Sequence, residues 1–483
     1  YMMVTPLLAQ QGFNQTVIKE GIQVDFTLSH VKNNKSPDVF REGDHVKFSF
    51  TISDTITGKP LSGAFPAAWM DKEVNNTNTD CGRKIISFIE GGLLSRPELD
   101  LNVYYVLTLN EDNTINVVDP LFGFGGSKLL AQIQLPSTGY DWIVKGDQME
   151  VYVTMPEVSQ VACINTSDMT ITDNITIPGQ PKNLILQEDG RYLWVSYDLQ
   201  GNFEAESGVA VIDTEKKTLI KTIPTGKGPH DIVISDDQNS VFVSNQNAGT
   251  VSVIDVQTLQ ILTDITVKDI PYSMAFSAKA NALYVVNKMS SVISVIDGKS
   301  HKIISEINAE PGINKIRFTP DGRLGFVLNP EANTVDIIDG ALNRIVQTAD
   351  VEDQPDEISF TDELAYVRHR GSEIIWMIPL DVIGIEGAPV PIVDFSGGQN
   401  PPGLGSSPCP APGIVQAPGA NAVLISNYKD ESIYYYSEGM AAPSGHFNTY
   451  GKKPKAVEVV DKSIEETSPG VYETTVQLRT PGN

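Results

Sequence analysis

A five-residue phrase recurs along much of the chain. It reads Val-Ser-Val-Ile-Asp at Val251–Asp255, Ile-Ser-Val-Ile-Asp at Ile293–Asp297 and Val-Asp-Ile-Ile-Asp at Val335–Asp339. The aspartates that end these three copies follow one another at intervals of 42 residues. A fixed period of about 40 to 45 residues, filled with short alternating strands, is typical of a β-propeller, in which each repeat is one four-stranded blade. We therefore predict an all-β fold of stacked repeats.

Further copies of the phrase extend the repeat in both directions. Five further copies bring the total to eight. The clear one is Val209–Asp213, and the four weaker ones are Ile115–Asp119, Val161–Asn165, Ile374–Ile378 and Ile433–Ser437. The strand-like segment Ala456–Val460 follows the last unit, whereas the first unit, Leu101–Leu135, lacks an opening strand. We predict that this late segment completes the first unit and closes the ring. The prediction is an eight-bladed propeller, or a seven-bladed one if a weak copy is a decorating hairpin.

Both ends of the chain lie outside the repeat. Gln23–Leu28, His45–Ile52 and Gly470–Leu478 alternate apolar and polar residues, as strands do. Chain ends that flank an inserted domain often meet, so we predict a small immunoglobulin-like β-sandwich built from both ends. The predicted domains are residues 1–70 for the first part of the sandwich, 71–100 for a linker with a short helix at Cys81–Leu94, 101–460 for the propeller and 461–483 for the strand that completes the sandwich.

Charge and length exclude several classes of protein. The 483 residues carry a net charge of −25, and no basic stripe is present to neutralise nucleic-acid phosphates or to bind an anionic membrane surface. A hydrophobic content of 41% is enough for a sizeable core. The longest apolar runs are only as long as strands, which predicts no transmembrane segment. The chain starts at Tyr1 rather than Met, and removal of a signal peptide would explain this, so we expect an extracytoplasmic protein.

Motifs that carry chemistry are scarce. Cys81, Cys163 and Cys409 are far apart and show neither haem-attachment nor zinc spacing, which leaves either one disulfide with a free thiol or three reduced thiols. The chain has no phosphate loop, nucleophile elbow or His-Glu-x-x-His motif. Met440 and His446 share a loop, but two ligands without a cysteine are a weak copper signal. We therefore predict no catalytic residue, no metal and no cofactor.

The candidate contact residues cluster in two places. Arg368, His369 and Arg370 form the densest cationic patch of an acidic chain, and they could hold an anion or the carboxylates of a partner. The alternative for this patch is ion pairing between blades. Tyr434, Tyr435 and Tyr436 place aromatic residues on both strand faces, which suits core packing on one side and a partner contact on the other, and we predict Tyr434 and Tyr436 as partner contacts.

A stretch rich in Gly and Pro, Ser396–Gly419, is predicted to be a long loop over one face. A loop of this length is either functional or a passive insertion.

The repeat residues offer structural and ligand roles. We expect the aspartates that end the phrase to accept backbone N–H groups and to fix the following turns; they are Asp213, Asp255, Asp297 and Asp339. His230 opens one repeat near the predicted mouth of the central channel, where an imidazole could ligate iron. His369 is the other alternative haem ligand.

Several phrases resemble a known family. Tyr284–Asn287 with Ile293–Asp297, and Phe242–Asn245 with Val251–Asp255, resemble the YVTN-type β-propeller repeat. That family is similar to the eight-bladed haem-carrying domain of cytochrome nitrite reductase. The resemblance therefore implies a catalytic alternative, a haem-dependent oxidoreductase.

Other segments resemble propellers found beside respiratory operons. These segments are Leu121–Leu130, Ala365–Glu373 and Ile433–Met440, and they are most similar to the propeller component that organises nitrite oxidoreductase into tubules in anaerobic ammonium oxidisers. We predict a non-catalytic extracytoplasmic scaffold that mediates protein–protein assembly. The expected partners are subunits of a larger respiratory complex, together with further copies of the chain itself. The alternatives are the haem oxidoreductase and a propeller that binds a small ligand.

Overall fold

The computed structural model describes residues 14–31, 40–64, 66–70, 85–86, 99–120, 128–199, 207–228, 230–403, 409–418 and 421–478. These residues form an all-β protein. Apart from the two helical residues 85 and 86, the described helical structure is a single 3-10 turn, Pro156–Val158. None of the helical segments in these ranges has the length and apolar character that a bilayer span requires.

The strands outside the repeat are β1 (Asn14–Lys19), β2 (Ile22–His30), β3 (His45–Asp54), β4 (Trp69–Met70) and β5 (Leu99–Asp100), with β38 and β39 given below. The remaining strands are, in chain order, β6 (Tyr104–Asn110), β7 (Thr114–Asp119), β8 (Lys128–Gln134), β9 (Trp142–Val144), β10 (Glu150–Met155), β11 (Gln160–Asn165), β12 (Thr170–Thr176), β13 (Gln180–Leu186), β14 (Tyr192–Asp198), β15 (Ser207–Asp213), β16 (Thr218–Gly226), β17 (Ile232–Ile234), β18 (Ser240–Asn245), β19 (Thr250–Asp255), β20 (Gln260–Thr266), β21 (Pro271–Ser277), β22 (Ala282–Asn287), β23 (Val292–Asp297), β24 (Ile303–Asn308), β25 (Lys315–Phe318), β26 (Leu324–Asn329), β27 (Thr334–Asp339), β28 (Arg344–Asp350), β29 (Pro355–Phe360), β30 (Leu364–His369), β31 (Ile374–Pro379), β32 (Val393–Ser396), β33 (Ile414–Gln416), β34 (Ala422–Asn427), β35 (Ser432–Ser437), β36 (Gly445–Asn448), β37 (Pro454–Asp461), β38 (Glu465–Ser468) and β39 (Val471–Gln477).

The described repeat strands pair into eight four-stranded sheets. Sheets I to VIII are, in order, β37-β6-β7-β8, β9-β10-β11-β12, β13-β14-β15-β16, β17-β18-β19-β20, β21-β22-β23-β24, β25-β26-β27-β28, β29-β30-β31-β32 and β33-β34-β35-β36. In sheet I the late strand β37 lies beside β6. This pairing confirms the prediction that Ala456–Val460 supplies the opening strand of the first unit.

The middle strands of each sheet are buried on both faces. In β18 and β19 nearly every side chain is buried, and most are β-branched or aromatic, so both faces of the sheet exclude water. The turn between them follows the Asn-x-x-x-x-Thr pattern, and Asn245 Nδ2 donates to Thr250 Oγ1 at 3.0 Å. Gly249 occupies this turn with φ +66°, a conformation that favours glycine.

Apolar side chains join each sheet to the next. Phe242 and Val253 of sheet IV pack in one buried cluster with Met274 and Leu283 of sheet V. Similar clusters join sheets II and III, and sheets VI and VII. A single sheet cannot bury both of its faces, so this stacking is what stabilises the repeat.

The first strands of successive sheets lie side by side. Neighbouring contacts run through β9, β13, β17, β21, β25, β29 and β33. Two hydrogen bonds continue the series through β37. The Val457 N–H donates to the Pro412 carbonyl at 2.9 Å, and Lys455 Nζ donates to the Gly139 carbonyl at 3.0 Å. Side chains on these first strands therefore lie close to those on the first strands of the neighbouring sheets.

The chain divides into two compact units. The terminal unit comprises Tyr1–Tyr105, Asp147–Met149 and Asp461–Asn483, and the repeat unit comprises Val106–Gly146 and Glu150–Val460. Strands from both chain ends share one sheet in the terminal unit, ordered β1-β2-β3-β39-β38. Residues of this sheet pack with Met70 and Leu99 of the β4-β5 ribbon around a small apolar core.

Two sequence predictions need comment. The Gly- and Pro-rich stretch Ser396–Gly419 is not a loop throughout, because Ile414–Gln416 is β33, the first strand of sheet VIII. A strand of three residues is too short to show alternation in the sequence, which is why the prediction of one long loop is wrong here. Of the predicted helix at Cys81–Leu94 only residues 85 and 86 are described, and Cys81 lies outside the described residues.

Candidate functional site

The repeat aspartates fix the turns that follow them. They end strands β15, β19, β23 and β27, and they are Asp213, Asp255, Asp297 and Asp339. Each Oδ1 accepts backbone N–H groups of the next turn; the Thr258 N–H, for example, donates to Asp255 at 2.6 Å. Hydrogen bonds from the Thr258 side chain and backbone lower the pKa of Asp255. These are the contacts that we expect of turn-fixing carboxylates.

His230 is buried, and both of its ring nitrogens have partners. Nδ1 lies 2.6 Å from the Ser244 carbonyl oxygen, and Nε2 lies 2.8 Å from Ser207 Oγ. Burial lowers the pKa of His230, which favours the neutral ring. Binding iron would require one nitrogen to leave its hydrogen-bond partner. The geometry therefore gives no support to His230 as a haem ligand.

His369 does not belong to a cationic patch with its two neighbours, which corrects the sequence prediction. Side chains alternate across a strand, so His369 lies on the face opposite Arg368. Its ring is buried beside Trp376, and Nδ1 lies 2.7 Å from the Ile374 carbonyl oxygen. Burial lowers the pKa of His369, so the neutral ring is favoured and it adds no charge. Nε2 has no hydrogen-bond partner among the described residues.

Arg368 and Arg370 converge on one buried carboxylate. The pairing register shifts between Pro355 and Glu357, so Asp356 sits in a β-bulge of β29. Arg368 Nε and Nη2 donate to the two oxygens of Asp356 at 3.1 and 2.7 Å. Arg370 Nε donates to Asp356 Oδ2 at 3.4 Å. Burial would raise the pKa of Asp356, but the charge of Arg368, followed by that of Arg370, holds it below its ordinary value.

This pairing differs from the ion pair that the sequence suggested. Asp356 and Arg368 lie on neighbouring strands of the same sheet, VII, rather than on different repeats. Arg368 contacts the next repeat through a hydroxyl rather than a carboxylate, since its Nη1 donates to Ser426 Oγ of sheet VIII at 3.3 Å.

The arginines line a small cavity of about 50 Å³, which we call the cationic pocket. Its lining comes from sheets VII and VIII, from β37 and from the segment before β33, and it comprises Asp356, Arg368, Arg370, Pro402, Gly403, Cys409, Ser426, Tyr428, Pro454 and Lys455. Three cations and one carboxylate face this space. The local charge is positive although the whole chain is strongly acidic.

Lys455 is the pocket residue that the sequence analysis missed. Its side chain is only 9% exposed, and Nζ donates to the Gly139 carbonyl oxygen. A sequence signal was present, since Lys452, Lys453 and Lys455 put three cations within four residues of an acidic chain.

Close packing against Gly413 holds Arg368 of the cationic pocket in place. A Cβ on Gly413 would overlap the guanidinium of Arg368, so any larger residue at this position would force Arg368 to move. On the other side of the pocket, burial raises the pKa of the Cys409 thiol to about 11. The thiol is therefore protonated near neutrality, and it donates to the Tyr140 carbonyl oxygen at 3.3 Å. Cys163 and Cys409 are both free thiols.

A second polar feature, which we call the polar belt, links the sheets near the start of their first strands. Equivalent positions in sheets II to VII carry Asp141, Asn183, Asp231, Ser273, Lys315 and Glu357. Each contacts the neighbouring sheet. The Leu184 N–H donates to Asp141 at 3.2 Å, and the Met274 N–H donates to Asp231 at 2.8 Å. Lys315 Nζ donates to Glu357 Oε2 at 2.6 Å.

Two carboxylates of the polar belt, Asp141 and Asp231, are hard to ionise. Burial raises the pKa of Asp141 to about 7 and also raises that of Asp231. Hydrogen bonds from backbone N–H groups and the charge of Lys315 oppose this effect without cancelling it. The belt was not predicted, because its positions share polarity but no common residue type.

A larger cleft of about 580 Å³ lies between the first turns of sheets III and IV. Its charged lining is Glu188, Asp189 and Arg191, all close in sequence, and Arg191 lies over the Tyr192 ring. No second cation converges on this cleft within its described lining. The cationic pocket is therefore the stronger candidate site despite its smaller size.

Tyr434 and Tyr436 are interior residues, which corrects the prediction that they contact a partner. Both belong to one buried cluster between sheets VII and VIII. The Tyr434 hydroxyl donates to Asp430 Oδ2 at 3.0 Å, and the Tyr436 ring stacks on Phe395 with 3.6 Å between ring centroids. They share a face of β35 because they are two residues apart.

Within the described ranges, no group of three or more His, Cys, Asp or Glu side chains is arranged to hold a metal ion. His446 instead stacks on the Tyr434 ring.

Residues 113–317 match the family described as YNCE-like beta-propeller. The match covers less than half of the 483 residues, so the similarity to this propeller family is shown for that stretch. This result confirms the prediction of a propeller family from the repeated phrases. The YNCE-like match begins in sheet I and ends in sheet VI, so it stops before the strands that line the cationic pocket.

One curated relative resembles a short stretch of this chain. A stretch of 107 residues is 29% identical to Protein NirF of Pseudomonas aeruginosa, and it covers 22% of this chain and 26% of NirF. The match thus spans about a quarter of the length of that relative.

Solved structures resemble a larger part of the chain. Dihydro-heme d1 dehydrogenase NirN, solved in complex with DHE, has a TM-score of 0.58 at 14% identity and covers 76% of this chain and 78% of its own. Apo AztD from Citrobacter koseri has a TM-score of 0.55 at 12% identity and covers 74% of this chain and 98% of its own. At such low identities these similarities show the fold alone.

Proposed function

We propose that this chain is a non-catalytic extracytoplasmic scaffold that assembles head to tail with further copies of itself. In this proposal sheets I to VIII are the eight blades of a closed propeller. The chain ends, residues 1–70 and 461–483, form a small sandwich-like module that carries the assembly surface. The observation that supports the proposal most directly is the exposed edge strand β1.

Strand β1 is exposed along its whole length. All six residues from Asn14 to Lys19 are exposed, although β1 pairs with β2. Val17 and Ile18 are 58% and 64% exposed, on opposite faces of the strand. Exposed edge strands are usually blunted by charges or by proline, because unpaired N–H and C=O groups are a template for another strand. In β1, Lys19 is the only charged residue that could prevent such pairing, and the strand has no proline.

The opposite edge of the same sheet is complementary to β1. There β38 presents Glu465 and Glu466, whereas β1 carries Lys19 and no acidic residue. Pairing β1 of one copy with β38 of the next brings Lys19 to an acidic edge, in which Glu466 already accepts the Gly63 and Gly470 N–H groups and Glu465 is the acidic residue left to pair. A head-to-tail contact forms a filament unless its rotation closes a ring, and we propose that this one extends one sheet through many copies.

The resemblance of Ala365–Glu373 and Ile433–Met440 to respiratory-operon propellers suggests what a filament could organise. We propose that its cargo is a respiratory complex of the nitrite oxidoreductase type. Co-purification from native cells, with fractionation to locate the protein, tests the cargo and the compartment together.

The assembly is tested by replacing Val17 and Ile18 together with Glu in the full chain, which places like charges opposite the acidic edge β38. Both side chains are exposed, so the variant should keep its fold. We expect wild-type protein to form particles that lengthen with concentration in sedimentation velocity and negative-stain microscopy, and the variant to stay monomeric. Ile56→Glu is the matched control, because Ile56 is 88% exposed but lies in a turn.

The variant also distinguishes the two modes of strand pairing. In a head-to-tail filament, small amounts of the variant cap one end and shorten the wild-type particles. An isologous β1–β1 pair would instead stop at a dimer. A wild-type protein that remains monomeric, or forms only dimers, contradicts the proposal.

The alternative of a haem oxidoreductase has less support from this geometry. Both of its candidate ligands, His230 and His369, are buried. Both ring nitrogens of His230 have hydrogen-bond partners, whereas His369 donates through Nδ1 to the Ile374 carbonyl and has no partner at Nε2 among the described residues.

A further inference from the structure

We propose that the cationic pocket binds a small planar oxyanion of the carboxylate class. This inference is independent of the proposed assembly, because the pocket belongs to the repeat unit whereas the β1 edge belongs to the terminal unit. It rests on three observations: an excess of cations, donors that the protein does not use, and the size of the cavity.

The charge of the pocket favours an anion. The pocket is lined by three cations, Arg368, Arg370 and Lys455. Asp356 is the only carboxylate among the described lining residues. Both oxygens of Asp356 are occupied by Arg368, with the longer contact from Arg370 added to one of them. Asp356 therefore compensates one positive charge, and two remain for a ligand.

The pocket holds hydrogen-bond donors that have no partner in the described protein. Lys455 is nine-tenths buried, yet only one of its three ammonium N–H groups is used, by the Gly139 carbonyl. Arg370 contacts Asp356 through Nε alone among the described residues, so both of its terminal amino groups are available. A buried cation with unused donors is costly unless a ligand or water completes its hydrogen bonds.

The shape of these donors selects a planar anion. A guanidinium presents two parallel N–H groups that match the two oxygens of a carboxylate. Arg370 is 38% exposed and can turn this fork toward the cavity, while Arg368 is held by Asp356 and is only 12% exposed. Arg370 is thus the cation that can turn toward a ligand, and Lys455 is the buried cation that stays in place.

The volume limits the ligand to a few atoms. The cavity measures about 50 Å³, and one water molecule needs about 10–15 Å³ of such space, so a few non-hydrogen atoms fit. Formate and acetate are of suitable size, and benzoate is too large. A ligand of three or four non-hydrogen atoms reaches a dissociation constant between about 0.04 and about 0.5 mM at best.

Calorimetric titration of the full chain with formate, acetate and benzoate, at constant ionic strength, tests the proposal. We expect saturable binding of formate or acetate and none of benzoate. Arg370→Gln should weaken that binding at least about tenfold, the effect of one lost charged hydrogen bond. Lys455→Met should do the same, with its fold checked by circular dichroism and thermal unfolding.

Arg344→Gln is the matched control. Arg344 forms an exposed ion pair with Glu386 at 2.7 Å, and it is absent from the pocket lining, so removing its charge should leave formate binding within about twofold. Equal weakening by the control would show a non-specific effect of net charge and would overturn the proposal. Failure of all three anions to bind, or equal binding of benzoate, would also overturn it. Arg370→Gln should still assemble like wild type, which separates this test from that of the β1 edge.

Discussion

Gly413 and Arg368 show how one residue without a side chain can set the position of another. The guanidinium of Arg368 passes so close to Gly413 that a methyl group there would overlap it. Arg368 cannot easily move aside, because Asp356 holds it through two hydrogen bonds. The geometry of the cationic pocket therefore depends on Gly413, which is not one of the residues that line it.

We expect Gly413→Ala to destabilise the protein by about 1–3 kcal/mol, the usual cost of overpacking a buried site. Chemical denaturation measures this loss. Gly146→Ala is the control, because no atom lies within 4 Å of the added Cβ and the stability should change by about 0.5 kcal/mol or less. If the clash is the cause, adding Arg368→Ala should make the two substitutions clearly non-additive. Additive effects would contradict this explanation.

The segment Arg368–Arg370 shows what residue-level reasoning from sequence could reach. Three neighbouring basic residues were interpreted as one patch, but a strand places adjacent side chains on opposite faces. The alternation alone could have separated His369 from the two arginines. Asp356 could not have been found this way, since it lies in another strand and reaches Arg368 through a bulge.

At the scale of the strand, the polar belt replaces apolar packing where the first strands approach one another. Asp141 and Asp231 each accept a backbone N–H from the next sheet, so each carboxylate links two repeats. The cost is a carboxylate that is difficult to ionise. This cost makes the stability of the repeat unit depend on pH.

The sign of this dependence follows from the raised pKa of Asp141. Its value is about 7 in the folded protein and about 3.9 in an unfolded chain. The folded state therefore binds the proton more tightly, and the stability it gives at low pH is lost as the pH rises from about 4 to about 7. Between about pH 5 and about pH 8 the wild-type protein should therefore lose free energy of unfolding. We expect Asp141→Asn to lose less over the same range, with a difference of up to a few kcal/mol.

Urea denaturation at each pH gives this comparison. Asn keeps one acceptor oxygen for the neighbouring N–H groups but does not titrate. Asp381→Asn serves as the control, since Asp381 is an exposed carboxylate outside the belt. The explanation fails if wild type and Asp141→Asn lose the same stability over this range.

Strands were far more predictable from sequence than the belt or β33. The 42-residue period located the strand copies because each carries the same alternation of β-branched residues, as in β19, β23 and β27. The belt positions vary from Asp to Lys, so no repeated letter marks them. Strand β33 has three residues in a Gly- and Pro-rich stretch, and it is defined only by its pairing with β34.

For the repeat unit as a whole, the pairing of β37 with β6 decides whether the sheets behave as a ring or as a row. In a row of repeats, a defect at one end affects only its nearest neighbour. In a closed ring, the last strand links the first sheet to the eighth. The hydrogen bonds from Val457 to Pro412 and from Lys455 to Gly139 are the contacts through which this link would act.

Ala456→Asp tests the ring, because Ala456 is fully buried in β37 and a buried unpaired carboxylate costs about 3 kcal/mol or more. In a closed ring we expect faster amide exchange not only in sheet I but also in sheets II and VIII, which β37 contacts through Gly139 and Pro412. Hydrogen–deuterium exchange resolved by peptide measures this spread. Ala332→Asp, at an exposed turn between β26 and β27, should leave the exchange pattern unchanged. Faster exchange confined to β37 and β6 would mean that the sheets are coupled only pairwise, and the closed ring would then be wrong.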